Sequence, residues 1–412
     1  MLSFEAKTMG RKCVMAMLLV VAVSCGLKEI GSQPVVGDGI WIGPGSALVG
    51  NGSEADDEPT VCYAVGVDYP QEYDWRADVE KGSVKCSLVV FADGVPMMKL
   101  PVGDAYEVSS DPDMHRMVRG NLYTDYSTQY ETVIKRNGEE IIRYMGREMI
   151  MDMAVEGDFV YTLGFSRSGT GFAFRRNGEI LLERASGHAF PRVQRVEDGF
   201  SFAFYEESSS GNRIYHKYYH YLAGEVCPLS VPDNVIKVWD VLLYEDRVCY
   251  LASELGVRSP VLVTGEERHS LKVGKGAEAV SCRFIDGGGE LYVEGIMSRE
   301  EDGLSSAIWK GPDLVELFPE GYTVASACGY DDEIACVLNG SGIFPQGIIY
   351  YGGENVTMPS GYVSMGGQTV VMSNGMLCVG LTSKKGSDAA VWVKDELKPL
   401  KINGFISHMS VY

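Results

Sequence analysis

Two histidines four residues apart, in His216-Lys-Tyr-Tyr-His220, suggest a metal site. On a helix that spacing sets both imidazoles on one face. The tyrosines between them favour a strand, where a rise of about 3.3 Å per residue separates the two by about 13 Å. That is too far to share a zinc ion whose bonds to nitrogen run about 2 Å, so no metal ligand set is expected. Nucleophile arrangements fail on spacing. Gly164-Phe-Ser166-Arg-Ser168-Gly169 is not Gly-x-Ser-x-Gly. The run Gly287-Gly-Gly289 precedes a strand pattern and not a helix, so it cannot cradle phosphate at a helix N-terminus. The sequence holds neither His-Glu-x-x-His nor Asp-x-Asp-x-Asp-Gly. No catalytic residue and no cofactor are predicted. Asp331-Asp332-Glu333 is expected at a solvated turn between strands.

A richer cluster is Tyr69, Tyr73, Trp75 and Arg76, interleaved with Glu72, Asp74 and Asp78. Aromatic faces offer apolar area and the acids accept hydroxyl hydrogen bonds, which suits a sugar ring or a partner surface. The plainer reading is that Trp75 packs over the edge of its own sheet or holds the preceding segment. Eight cysteines follow Cys13 and Cys25. Cys62, Cys249, Cys282, Cys336 and Cys378 stand at apolar strand positions, where they act as small buried hydrophobes. The nearest pairs for a disulfide are Cys328 with Cys336 across a hairpin and Cys62 with Cys86 across neighbouring strands.

These residues need a scaffold, and the composition points to strands. The chain has 412 residues, with 49 Gly and 23 Tyr against 14 Phe. Short strands joined by tight turns use residues in this way. A formal charge of −20 argues against nucleic acid as a partner and against adsorption to anionic lipid.

From residue 60 onward one unit recurs: two β-rich runs around a polar turn, a loop, a third run, a tight turn and a fourth run. The clearest copy spans Met149 to Arg184. Its Asn177-Gly178 sits between two alternating runs, the strongest short-range hairpin signal. The same turn is traced at Asp93-Gly94, Asn137-Gly138, Gly224-Glu225, Gly265-Glu266, Gly311-Pro312, Gly353-Glu354 and Lys394-Asp395. A period in the forties with four strands per unit predicts an all-β fold, a single β-propeller of eight four-stranded blades over residues 60–412, with seven the runner-up. Unit one lacks a first strand. The final run, Gly404-Phe-Ile-Ser-His-Met-Ser-Val-Tyr412, is expected to supply it and close the ring. The loop from Asp68 to Ser83, which carries the aromatic cluster, is longer than its counterparts, and long loops on a rigid scaffold carry function.

The N-terminus reads as an address. Lys7, Arg11 and Lys12 precede the apolar run Val14 to Val23, then Ser24, Cys25 and Gly26. This is the layout of a secretory signal, and the run is shorter than the roughly 20 residues of a spanning helix. Ala22-Val23-Ser24-Cys25 resembles a bacterial lipobox, with Ala where Leu is usual. The resemblance implies removal of residues 1–24 and acylation of Cys25, which would hold the protein to a membrane by lipid. Residues 25–59 read as a Gly-rich tether with a reach of roughly 30 Å.

Phe159-Val-Tyr161-Thr-Leu-Gly164, Leu291-Tyr292-Val-Glu-Gly295, Ala307-Ile-Trp309-Lys310-Gly311 and Ala390-Val-Trp392-Val-Lys394 carry a resemblance. With them, residues 60–412 resemble the uncharacterised β-propeller lipoproteins of Bacteroidota cell envelopes, which implies fold and place, at the outer membrane in either leaflet. The Gly-x-x-x-Trp docking motif of eight-bladed quinone-dependent dehydrogenases does not recur in these units. The functional expectation is a non-enzymatic, envelope-anchored binding or scaffold protein that holds a protein partner or glycan on the face bearing Tyr69, Tyr73, Trp75 and Arg76. The alternative is a glycan-active hydrolase or lyase with acids at the ring centre. Asp152, Arg195, Asp240 and Arg283, on first strands, are the channel candidates, and the plainer reading leaves them as alternating strand residues.

Overall fold

The computed structural model describes residues 60–71, 86–101 and 115–412, the last with breaks at 129, 167–170, 211–212, 275–276, 286, 288, 300–302, 341–345, 366–367, 386–387 and 394. Alternating apolar runs separated by turn residues fold here into eight antiparallel sheets, each a blade. The innermost strands of blades two, three, five, six and seven are His115–Val118, Glu148–Glu156, Val235–Tyr244, Ala277–Ile285 and Tyr322–Tyr330. In blade four the inner position is shared by His188–Ala189 and Gln194–Val196, both paired to Gly199–Ser210. Pro191 lies in the gap between them, and proline cannot donate to a ladder. Tyr362–Val363 and Val370–Ser373 share the inner position of blade eight in the same way.

Blade one contains Cys62–Asp68, Ser87–Ala92 and Val95–Pro101, and its innermost strand is Gly404–Val411. The protein is therefore an eight-bladed β-propeller whose last strand completes its first blade. Register runs from Cys62 opposite Val411 to Asp68 opposite Gly404. Val61 and Tyr412 exchange both backbone hydrogen bonds at the end of this pair. Two sheet edges are hidden at once, which removes sites for unwanted strand pairing.

Side chains leave a strand alternately to the two faces of its sheet. In a ring of blades those faces look at the neighbouring blades, so the apolar interior is divided among eight seams. Val65 and Val90 meet Met117 and Leu122 between blades one and two. Phe172, Phe174, Phe200, Phe202 and Phe204 fill the seam between three and four. Trp309 is fully buried between five and six, and its indole N–H donates to the Lys272 carbonyl at 2.8 Å. Burying each such large apolar side chain contributes roughly 1.5–3 kcal/mol, so every seam has its own adhesive core.

The third-to-fourth-strand turns follow the traced pattern, with two corrections of one residue. In blade four the turn is Ala223-Gly224 and in blade seven it is Gly352-Gly353. In blades one to four and in blade seven both turn residues take positive φ, as in Asn137 at 52° and Gly138 at 88°. In blades one to three the first turn residue also extends the ladder. Asp93, Asn137 and Asn177 accept the N–H of Cys62, Leu122 and Val160 through their side chains at 2.8–3.0 Å.

Strand direction fixes two faces. One holds the turns within each blade between strands one and two and between strands three and four. The other, the loop face, holds the second-to-third connections and the links between blades. The described chain enters at Thr60 and leaves at Tyr412 on the turn face, while the strand ends at Asp68 and Ser87 lie on the loop face.

Candidate functional site

The innermost strands carry a repeated device. In blades one, three, five, six and seven the pairing of the inner strand to its neighbour slips by one residue near its middle, a β-bulge. A bulge re-aims the residue that follows it. Those residues are His408, Asp152, Asp240, Ser281 and Ser326. Three of them accept backbone N–H groups from the next blade. Asp152 takes Val193 at 2.7 Å, Asp240 takes Phe284 at 2.9 Å, and Ser326 takes both Thr369 and Val370 at 3.2 Å. Gln194 of blade four bonds both the N–H and the carbonyl of Leu243 in blade five. These side chains satisfy the row of inner-edge backbone groups that no further strand can pair.

Asp152 and Asp240 each also hold a guanidinium. Asp152 is fully buried and pairs with Arg116 of blade two, and its other contacts are the N–H groups of Met153 and Val193. Burial pushes its carboxyl up to about 6 against the pull of Arg116. Asp240 accepts from Arg192 at 3.0 Å, and Arg192 continues to the carbonyls of Val241 and Phe284, so it spans blades four, five and six. Arg195 pairs with Glu156 of blade three near the turn face. Arg283 pairs across its own blade with Glu294, its register partner. The structure thus places the four channel candidates in ion pairs. Asp152 and Asp240 meet the same kind of partner on the same side, while Arg195 and Arg283 sit in separate pairs.

Chemistry needs a group with a proton or lone pair turned towards a substrate. Both Asp152 oxygens are occupied by donors inside the protein. Two serine–histidine contacts that sequence reading missed have a similar character. Ser407 meets His115 Nε2 at 2.6 Å, but the serine proton goes to the Val65 carbonyl at 3.0 Å. The histidine must therefore donate, which is the reverse of what a general base does. Ser201 meets His220 at 2.6 Å with both residues buried. His216 instead meets Glu207 at 3.2 Å, so the two histidines of the spaced pair hold different partners on one strand. The signal for these contacts was weak: a lone serine and a lone histidine, far apart in the chain.

Of the loop-face candidates, Tyr69 is half-buried beside Val67, Cys86 and Phe405, and its N–H donates to the Asn403 carbonyl at 2.9 Å. The Asn403 N–H in turn donates to Asp68 Oδ1 at 2.9 Å, which fixes the base of the loop to the link before the closing strand. Tyr73, Trp75 and Arg76 lie outside the described residues, as do Cys25, the segment 1–24 and the tether 25–59.

On the same face stands a feature that the sequence reading passed over. The blade-four hairpin Gly199–Ser210 and Arg213–Leu222 is paired along its whole length. Its outer neighbour, Glu225–Pro228, covers only Tyr219 to Leu222, and its inner neighbours reach no further than Tyr205. Residues 206–210 and 213–217 therefore form a two-stranded ribbon beyond the body of the blade. Ile214 is 66% exposed and Tyr215 is 49% exposed on it. At its root Tyr205, His216 and Tyr218 pack ring to ring, with His188 against Tyr205.

No family model matches the chain, and no curated protein matches it. Solved structures similar to it include the β-propeller domain of the Trilobed protease from Pyrococcus furiosus, at 10% identity and a TM-score of 0.45, covering 74% of this chain and 96% of that one. Apo AztD from Citrobacter koseri is similar at 9% identity and 0.47, covering 85% and 98%. BamB from Moraxella catarrhalis is similar at 10% identity and 0.44, covering 81% and 97%. The assignment of the fold rests on the strand pairing itself. A β-propeller is a fold often used for binding.

Proposed function

We propose that this protein is a non-enzymatic, envelope-anchored binding propeller that holds a protein partner on its loop face. The blade-four ribbon is the observation that carries this reading. A two-stranded ribbon with exposed Ile214 and Tyr215 presents apolar anchors beside a strand whose 213–217 segment pairs with 206–210 on one side and has no ladder neighbour on its outer side among the described residues. Such an edge accepts an extended partner segment through backbone hydrogen bonds, and the side chains select it. The Tyr69–Arg76 segment springs from the same face and would supply further aromatic contacts. Occupation of the inner-strand acids by ties between blades favours binding over glycan cleavage. A lipid on Cys25 would tether the ring through Thr60 on the turn face, leaving the loop face directed away from the membrane.

The test is cross-linking of intact cells that carry the tagged full chain, followed by capture in mild detergent. The reading expects a stoichiometric protein partner that is lost in the Ile214→Ser, Tyr215→Ser double variant and weakened in the Tyr73→Ala, Trp75→Ala variant. Cys25→Ser should move the protein out of the membrane fraction. Capture of no protein, together with Trp75-dependent binding in a carbohydrate screen, would replace the protein partner with a glycan.

A further inference from the structure

The ring closes where Gly404–Val411 pairs with Cys62–Asp68, and the seam between blades eight and one lies next to that closure. Cys62, on the strand that pairs with the C-terminal strand, and Cys378, on Met376–Ser383 of blade eight, meet across this seam. Both are buried in one apolar cluster with Val371, Val391, Ile406 and Met409, at 1% and 0% exposure. The two thiols interact directly there. Contacts on either side hold the same alignment. Asn374 of blade eight reaches Thr60 at 3.5 Å, and Lys398 of blade eight reaches the Asp93 carbonyl at 3.4 Å.

The two pairs suggested by the sequence do not meet. Cys328 lies opposite Ala335 and Cys336 opposite Ala327, so they are neighbours in register and point to opposite faces. Cys328 faces blade eight, whereas Cys336 faces blade six. Cys86 precedes Ser87, the partner of Asp68, and Cys62 is at the other end of that strand, about 20 Å away.

We propose that Cys62 and Cys378 form a disulfide when the chain folds in an oxidising compartment, turning a noncovalent ring closure into a covalent one. The oxidant is a disulfide, either a small-molecule one or that of a thiol–disulfide oxidoreductase. The thiolate of one cysteine attacks it, giving a mixed disulfide and releasing one thiol. The second thiolate then displaces the other thiol and forms the Cys62–Cys378 bond. Two cysteine thiols give up two electrons and two protons, and the oxidant becomes two thiols. The thiolate is the attacking species, and the interaction with Cys378 and burial keep the Cys62 thiol well above its ordinary range. A buried thiol in the finished ring is thus a poor attacker, and the bond forms during folding, as the closing ring brings the two cysteines together.

The experiment refolds the full chain in a glutathione redox buffer and, separately, in dithiothreitol. Each sample is quenched by alkylation, digested and mapped by mass spectrometry, and unfolded in guanidinium. The expected result is a Cys62–Cys378 linked peptide only in the oxidised sample, with its unfolding midpoint above that of the reduced one. That difference disappears in Cys62→Ser, and Cys378→Ala serves if the serine variant does not fold. Alkyl label on both cysteines after oxidative refolding overturns the proposal, as does a link from Cys378 to Cys328. A bond that forms without raising the midpoint overturns its role as a clasp. Peptide mapping of the unaltered chain decides the first point without any variant.

Discussion

Asp152 Oδ2 accepts the Val193 N–H of the following blade at 2.7 Å, while Oδ1 takes the Arg116 guanidinium of the preceding one. A single carboxylate thus ties three consecutive blades. Asp152→Ala should leave Arg116 as a buried charge without its counter-ion and the Val193 N–H without its acceptor. Losing one partner of a buried pair costs about 3–5 kcal/mol, and guanidinium unfolding of the variant should show it. Asp240→Ala, which strips Arg192 and Phe284 in the same way, should behave alike.

The pH dependence follows from buried histidine. Burial first, and then the charges of Arg116 and His115, hold His408 well below its ordinary range, and burial lowers His220 as well. Below about pH 6.5 the unfolded chain gains protons that the native chain refuses, so stability falls as pH falls through that point, by up to about 1.4 kcal/mol per pH unit for each such group. Asp152 acts oppositely. Its carboxyl protonates first in the native chain, so it favours folding below pH 3.8 and that advantage fades as pH rises to about 6. Comparing unfolding midpoints of the natural chain and His408→Gln from pH 7.5 to 5 isolates the histidine: the variant should lose less.

Closure can be tested at its first residue. A Cβ on Gly404 would lie 1.8 Å from the Val67 carbonyl oxygen, backbone that the strand pairing holds in place. Gly404→Ala should cost at least about 2 kcal/mol through the forced shift, and hydrogen exchange should show faster opening in blade one than in blade five.

The tight turns give a graded series. Asn137 and Asn177 combine positive φ with a side-chain acceptor for the ladder. Replacement by Ala removes the acceptor and forces an alanine into the left-handed region, at about 1–3 kcal/mol together. Asn→Gly, which keeps the backbone free, should recover part of that loss.

The ribbon should separate binding from folding. Ile214→Ser and Tyr215→Ser alter exposed side chains, so stability should stay within about 0.5 kcal/mol. Partner capture should fall sharply if the proposed docking holds.

The sequence by itself determined the architecture. Period, alternation and Asn-Gly or Asp-Gly turns are local properties, since positive φ and side-chain alternation are set within a few residues. The orphaned run 404–412 and the strand missing from unit one made the closure legible for the same reason. Blades four and seven were each misplaced by one residue because Ala223 can adopt the turn conformation without announcing it, and because Gly352-Gly353 offers two equivalent registers. Only the tertiary structure decided which residues meet. The bulges that re-aim Asp152, Asp240 and Ser326 leave no mark in composition, and their acceptor roles depend on a backbone N–H some forty residues away. Cys62 and Cys378 are brought together because the ring closes, a relation between chain ends that no local pattern encodes. The ribbon of blade four was equally hidden. Its strands look like any others until the neighbouring strands stop short of them.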